Sequence, residues 1–184
     1  MGNFLIGVKI FILSKINNYK RIDEKWFRRI NNSYLKCNLL DDIMLFLTYM
    51  GEFSSPAITM YVYVLSEDKY WFIHSMHSLA AVVIIITFIK IFIGRKSPVE
   101  SLDHVNLLGY NSNRSMSFPS MSAALSFATA TLVIIYFNDY YALILLALSI
   151  TMARVYSGIC YPSDIIVGSF IGFITPIILL FIPH

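Results

Sequence analysis

The chain has 184 residues, of which 57% are hydrophobic and only 14% charged, and its mean hydropathy is +0.66. Soluble domains carry about 25% charged residues, so the composition excludes an ordinary soluble domain and predicts a membrane protein. The formal net charge of +3 does not indicate nucleic-acid binding, because the basic residues flank apolar runs. The two cysteines have no C-x-x-C spacing, so neither a disulfide framework nor a zinc site is predicted.

The first segment, residues 1–37, is predicted to be a basic stretch on the membrane surface. Apolar residues recur at helical spacing within residues 4–13, with lysines beside them. This pattern favours an amphipathic helix that lies in the interface plane. More lysines and arginines follow within residues 16–37, where Trp26 and Phe27 are expected to anchor the chain at the bilayer interface.

The second segment, residues 38–184, is predicted to be an all-α membrane domain, a helical bundle with about five transmembrane helices. Leu39–Ser66 contains acidic residues, Gly51 and Pro56, and we interpret it as a short surface or re-entrant helix to about Met50, followed by a first span. Whether Leu39–Met50 crosses the membrane stays open. Four clearer apolar segments follow, each long enough to cross a hydrocarbon layer of about 30 Å: Tyr70–Ile93, Pro119–Phe137, Tyr140–Ile159 and Ser163–Ile182.

The distribution of positive charge predicts the orientation of the chain. With five spans, the N-terminus and the polar loop Gly94–Phe118 share one side of the membrane, together with every lysine and arginine except Lys69. Short cytoplasmic segments carry an excess of lysine and arginine, so this side is predicted to be cytoplasmic. In the last span, Gly168 and Gly172 form a G-x-x-x-G face that permits close contact with another helix.

Four polar residues lie at span ends on this same side: Lys90, Ser120, Arg154 and Asp164. Ionisable groups within spans mark a functional site by default. An arginine can hold a phosphate with two hydrogen bonds, a lysine adds charge, and a helix N-terminus adds N–H donors. The set therefore predicts a phosphate-binding site. The alternative is that Lys90 and Arg154 only extend from their spans toward water.

Three sequence blocks in this region resemble the type-2 phosphatidic acid phosphatase family, also called lipid phosphate phosphatases. The first block reads KIFIGRKSP over Lys90–Pro98, the second reads PSMS over Pro119–Ser122, and the third reads ARVYSGICYPSD over Ala153–Asp164. The family signature has a lysine followed by Arg-Pro, then Pro-Ser-Gly-His, then Ser-Arg with a histidine and an aspartate downstream. The resemblance covers about residues 40–180 and implies a helical membrane fold.

The departures from the family signature concern its chemistry. In the family, the histidine of the third block attacks phosphorus, the aspartate orients it, and the histidine of the second block protonates the leaving oxygen. Here Cys160 and Ser122 occupy the two histidine positions, while Asp164 keeps the aspartate position. Three further positions also differ from the signature: Ser97, Met121 and Ala153.

The resemblance also implies which residues would contact phosphate. Lys90, Ser120 and Arg154 match family positions, and Met121 stands where the family has glycine. Arg95 lies two residues before Ser97, which replaces the family's arginine, so it is expected to supply the missing guanidinium. No cofactor and no metal are expected.

The resemblance leads us to expect a protein of a bacterial or archaeal cell membrane that binds the headgroup of a phospholipid or polyprenyl phosphate. Its partners would be that lipid and the surrounding membrane lipids, with no nucleic acid. Catalysis is expected to be impaired, because both proton-handling residues are replaced. Two alternatives stay open: an active phosphatase that uses an atypical residue set, including a Cys160 nucleophile, and a structural membrane subunit with a vestigial pocket. The oligomeric state, the identity of the lipid and the origin of the substitutions, natural or engineered, stay undecided.

Overall fold

The computed structural model describes residues 19–32, 37–109, 116–137 and 141–181, with the side chain of Glu52 left out. The predicted interfacial helix within residues 4–13 lies outside this described part. The described residues form helices and connecting loops without strands. Their seven helices are α1 (19–31), α2 (Asn38–Ser66), α3 (Lys69–Ile93), α4 (Pro98–Ser101), α5 (Met121–Phe137), α6 (Ala142–Tyr156) and α7 (Pro162–Leu180).

The predicted all-α membrane bundle is confirmed, and the four clearer apolar segments correspond to α3, α5, α6 and α7. Local signals set several helix ends. The Asp68 carboxylate accepts a hydrogen bond from the Trp71 N–H at 3.1 Å and caps the start of α3. Gly94 ends the same helix in the left-handed conformation, with φ of 58°. Pro162 occupies the first turn of α7, where its missing N–H costs nothing.

Within the described residues, two segments are both long and apolar enough to span a membrane: Lys69–Ser101 and Pro162–Leu180. Helices α5 and α6 are apolar but shorter, with 17 and 15 residues. Large apolar side chains such as Ile84, Phe88 and Phe92 of α3 point away from the bundle and are largely exposed. Such an apolar exterior suits contact with lipid chains.

The predicted break between Met50 and Pro56 is wrong, because α2 is one continuous helix of 29 residues. A proline inside a helix removes one backbone hydrogen bond, but packing against neighbouring helices stabilises this one. A Cβ added at Gly51 would lie 2.6 Å from Ile150 of α6, so the two helices are in close contact there. The Ser55 hydroxyl also accepts a buried hydrogen bond from Thr129 of α5 at 2.8 Å.

Helix α5 lies at the centre of the bundle and contacts α2, α3, α6 and α7. Its contact with α7 is close, as the two glycines of α7 predict. A Cβ built at Gly168 would collide with the backbone oxygen of Ser120, and one at Gly172 with the backbone of Ala124. The predicted close helix contact is therefore confirmed.

Helix α1 packs on the end of the bundle where α6 joins α7. Phe27 is 1% exposed, and its ring lies 5.5 Å from that of Tyr161. The expectation that Phe27 anchors the chain at the bilayer interface is therefore wrong, since the side chain belongs to the core, whereas Trp26 remains half exposed. The Asn31 amide donates to the Tyr156 carbonyl at 2.8 Å and fixes the end of α1.

Candidate functional site

The three sequence blocks converge at one end of the bundle and enclose a small cavity, here called the motif cavity. Its lining combines the end of α3 with the following loop, the start of α5, and the connection between α6 and α7. The lining residues are Lys90, Ser97, Met116, Ser117, Ser120, Met121, Arg154, Ile159 and Cys160. Five of the predicted site residues are thus brought together: Lys90, Ser120, Met121, Arg154 and Cys160.

Burial differs across the motif cavity. Arg154, Ser120 and Cys160 are at most 4% exposed, whereas Lys90 is half-buried and Met116 is exposed. The Lys90 ammonium lies 3.5 Å from the Met116 carbonyl oxygen. The cavity therefore has a buried floor that carries Arg154 and a more accessible rim formed by Lys90 and Met116. Its volume of about 20 Å³ suits a water molecule, so the rim must move to admit a phosphate group.

The α6–α7 connection places Arg154 and Cys160 on the same cavity. The N–H groups of Ile159 and Cys160 both donate to the Arg154 carbonyl, at 3.0 and 3.3 Å. Gly158, just before Ile159, has φ of 84°, a conformation that favours glycine. The chain thus turns back on itself after α6 and brings residue 160 next to residue 154.

Ser120 fixes the start of α5 at the cavity wall. Its N–H donates to the Asp164 carbonyl at 3.0 Å, which joins α5 to α7. Its hydroxyl oxygen lies 3.4 Å from the Ala123 N–H, the arrangement of a helix N-cap. The positive end of α5 therefore faces the motif cavity, which favours an anion there.

Arg95, predicted to contact phosphate, does not line the motif cavity. Its guanidinium donates to Asp164 at 2.9 Å, to Ser163 at 2.7 Å and to Asp23 of α1 at 2.6 Å, and it lies 4.0 Å from the centre of the Tyr161 ring. We call these five residues the Arg95 network. Two carboxylates bind this cation more strongly than an open cavity could, which explains its position.

Asp164 was expected to orient the side chain at position 160, but its oxygens contact other groups. One oxygen accepts from Arg95, and the other accepts from the Tyr161 N–H at 2.9 Å. The side chain is fully buried. In this structure Asp164 therefore belongs to the Arg95 network and caps the first turn of α7.

Ser122, at the position of the family's acid, is also separate from the lining of the motif cavity. It is 4% exposed and packs against α2, since a Cβ added at Gly51 would lie 3.4 Å from the Ser122 Cβ. The predicted nucleophile and acid positions therefore differ in location, with Cys160 lining the cavity and Ser122 lying between helices.

The sequence did not lead us to predict the positions of two residues at this end of the molecule, Ser97 and Asp23. Ser97 lines the motif cavity, and its buried hydroxyl has no hydrogen-bond partner among the described residues. The place of Ser97 at the site could have been predicted, because it occupies the position of the arginine in the first block of the family signature. Asp23 was also missed, although its carboxylate accepts from both the N–H and the hydroxyl of Ser163, at 3.0 and 2.6 Å. Nothing in the local sequence connects Asp23 to a residue so far along the chain.

Tyr161 links the Arg95 network to the short helix α4. Its hydroxyl lies 2.7 Å from the Ser101 hydroxyl. Burial raises the pKa of the Tyr161 phenol, while the hydrogen bond to Ser101 and the nearby Arg95 oppose that rise. The phenol therefore stays protonated at neutral pH and serves as a neutral packing and hydrogen-bonding group.

The described residues contain no group of three histidine, cysteine or acidic side chains placed to hold a metal ion. What the motif cavity offers is two cations, three hydroxyls and a helix N-terminus. These groups match the oxygens of a phosphate monoester. This part of the site is therefore suited to binding an anion.

Comparisons with known proteins agree with this geometry. The sequence model of the PAP2 superfamily matches residues 71–183, more than half of the chain. The crystal structure of Aquifex aeolicus LpxE is similar, with a TM-score of 0.70 and 27% identity over 85% of this chain and 93% of that one. A search of curated proteins finds no significant sequence match.

A second similar structure is that of a transmembrane PAP2-type phosphatidylglycerolphosphate phosphatase from Bacillus subtilis. It has a TM-score of 0.72 and 18% identity, and the alignment covers 94% of this chain and 93% of that one. At this identity the likeness concerns the fold. Taken with the matched family model and the converging motif blocks, these comparisons establish that the chain belongs to the PAP2 superfamily and is an integral membrane protein resembling the lipid phosphate phosphatases.

Proposed function

We propose that the protein binds the phosphate headgroup of a phospholipid or polyprenyl phosphate in the motif cavity without hydrolysing it efficiently. One observation carries the proposal. The cavity keeps Lys90, Ser120 and Arg154 together, whereas cysteine and serine stand at the two positions where the family has histidine. The groups that hold a phosphate are retained, and those that move protons are replaced.

The burial of Arg154 favours strong phosphate binding. Hydrogen bonds between ionised partners contribute about 1.5–3 kcal/mol each, and they gain strength where water is excluded. Arg154 is 4% exposed and lies beside the start of α5, so a phosphate would receive both guanidinium and backbone donors. Lys90 at the rim would contact the same anion from the water side, and its movement would widen the cavity.

Efficient hydrolysis requires groups that this site lacks or uses elsewhere. A serine hydroxyl is a poor general acid near neutral pH, and general acid–base catalysis typically contributes about 10²–10⁴-fold to a rate. Ser122 moreover packs against Gly51. Asp164, which would orient a nucleophile at position 160, accepts hydrogen bonds from Arg95 and from Tyr161 instead. The Cys160 thiol therefore has neither partner of the family mechanism.

Binding is tested by titrating the purified protein with phosphatidic acid and a polyprenyl phosphate in nanodiscs. We expect Arg154→Gln to weaken both affinities about 10–100-fold, the effect of losing charge-assisted hydrogen bonds. Lys96→Gln is the matched control, since it removes a charge from the same end of the molecule at an exposed position outside the cavity. Equal affinities for the two variants would contradict the proposal and favour a structural role for the protein.

We also propose that the N-terminus and the motif cavity face the cytoplasm. The support is the charge distribution, because 13 of the 14 lysines and arginines lie on the side of the motif cavity in the five-span arrangement. Cys37 is exposed on this side and Cys160 is buried, so a membrane-impermeant thiol reagent should label Cys37 only after the cells are permeabilised. Labelling in intact cells would contradict this orientation.

A further inference from the structure

A second and larger depression lies beside the motif cavity. It is bounded by α1, the end of α3, Phe118 and the start of α7, and its volume is about 960 Å³. We call it the α1 groove. Most of its wall is apolar, and its volume lies at the upper end of the range for pockets that bind small molecules.

Helix α1 presents two different faces, one of which lines this groove. Phe27 points into the bundle and is buried, and Asp23 lies at the inner edge of the groove with 8% exposure. Tyr19, Ile22 and Trp26 recur at i, i+3 and i+7, line the groove and remain 67%, 48% and 52% exposed. Large exposed apolar side chains on a shared face mark a site of contact with apolar material.

The groove and the motif cavity share a wall. Lys90 lines the cavity, and Ile93, on the next turn of α3, lines the groove. Ser117 lines the cavity, and its neighbour in sequence, Phe118, lines the groove. The connection between α6 and α7 likewise lines the cavity, and the start of α7 lines the groove. A molecule with a phosphate in the cavity could therefore extend an attached chain into the groove.

We infer that the α1 groove holds a hydrocarbon chain of the lipid whose phosphate occupies the motif cavity, and that α1 distinguishes a lipid phosphate from a free phosphate. The inference rests on the proposed function. A membrane lipid is the occupant that the geometry favours, because the groove lies beside both the motif cavity and the apolar end of α3. The hydrogen bonds from Arg95 and Ser163 to Asp23 hold α1 in place over the groove.

The first test compares a long-chain and a soluble ligand. Ile166 lines the groove at 67% exposure, while Ile91 lies outside it at 69% exposure, so Ile166→Gln and Ile91→Gln form a matched pair. We expect Ile166→Gln to weaken binding of dioleoyl phosphatidic acid roughly three- to tenfold through the lost apolar contact. Neither variant should change the affinity for glycerol 3-phosphate, which lacks the chain.

The two ligands separate failure of the inference from failure of the proposed function. If Arg154→Gln leaves the affinity for glycerol 3-phosphate unchanged, the proposed function itself is wrong. A different result would contradict only the inference about the groove. In that case Arg154→Gln weakens binding of glycerol 3-phosphate, but Ile166→Gln and Ile91→Gln have equal affinities for phosphatidic acid. Weaker phosphatidic acid binding only for Ile166→Gln would support that inference.

A second test uses phosphatidic acid with a photoreactive diazirine in its acyl chain and the full-length protein in nanodiscs. We expect adducts on α1 and on the start of α7, with at least about fivefold less labelling of these sites by phosphatidylcholine that carries the same chain. Equal labelling by the two lipids would show that the groove contacts bilayer lipids without preference for a phosphate headgroup. An unlabelled groove would indicate that another occupant, such as residues 1–18, fills it, and either result would overturn the inference.

Discussion

Two arginines lie at the same end of the bundle but in different surroundings. Arg154 lines the motif cavity together with hydroxyl groups and a thiol. Arg95 lies in a network with two carboxylates, at 2.6 and 2.9 Å from its nitrogens. The contrast shows that a cation near a sequence motif need not line the cavity that the motif residues form. Arg95 stabilises the fold, and Arg154 remains on the floor of the cavity.

The largest effect is expected when Arg95 is replaced. Removing one partner of a buried ion pair costs about 3–5 kcal/mol, because the remaining charge is left buried, and the Asp164 side chain is fully buried. We therefore expect Arg95→Gln to lower the free energy of unfolding by about that amount, measured by titration with a denaturing detergent. Lys96→Gln is again the control, and an equal loss of stability in both variants would contradict the account.

A smaller effect is expected from the other side of the network. Asp23→Asn weakens the contacts to Arg95 and Ser163 but keeps an acceptor oxygen, so we expect a loss of about 1–2 kcal/mol. Hydrogen exchange should accelerate in α1 and remain unchanged in α5, since Asp23 holds α1 to the bundle. Uniform acceleration along the chain would show that α1 is not a separately held element.

The smallest effect is expected on the exposed surface of α1. The ammonium of Lys20 lies 4.0 Å from a Glu24 carboxylate oxygen, and the lysine side chain is 63% exposed. Exposed pairs of this kind contribute about 0.5 kcal/mol or less. Lys20→Gln should therefore leave the thermal unfolding midpoint nearly unchanged in detergent. A loss as large as that of Asp23→Asn would remove the distinction between the network and the surface of α1.

Much of the bundle could be predicted from the sequence, because the relevant signals are local. The length of each apolar segment and signals such as Gly94 and Pro162 indicate where α3 and α7 begin and end. The continuity of α2 could not be predicted in this way. Pro56 and Gly51 indicate a break locally, and only packing against α5 and α6 explains why the helix continues.

The candidate site was predictable in part for the same reason. The motif spacing indicated that Lys90, Ser120 and Arg154 gather at one end, and the structure places them on one cavity. The role of Arg95 was not predictable, since its partner Asp23 is 72 residues away in sequence. A contact of that range depends on how α1 docks, which no local pattern specifies. The position of Ser122 between α5 and α2 depends on helix packing in the same way.

The fate of a bound ligand can show whether the motif cavity holds a lipid phosphate without cleaving it. Phosphatidic acid labelled with ³²P is loaded onto the native protein at one equivalent, and the label is followed for hours after unlabelled lipid is added. We expect the label to leave as intact lipid and Arg154→Gln to prevent loading. Release of inorganic phosphate that disappears in Cys160→Ser would contradict this expectation and identify an active thiol-dependent phosphatase.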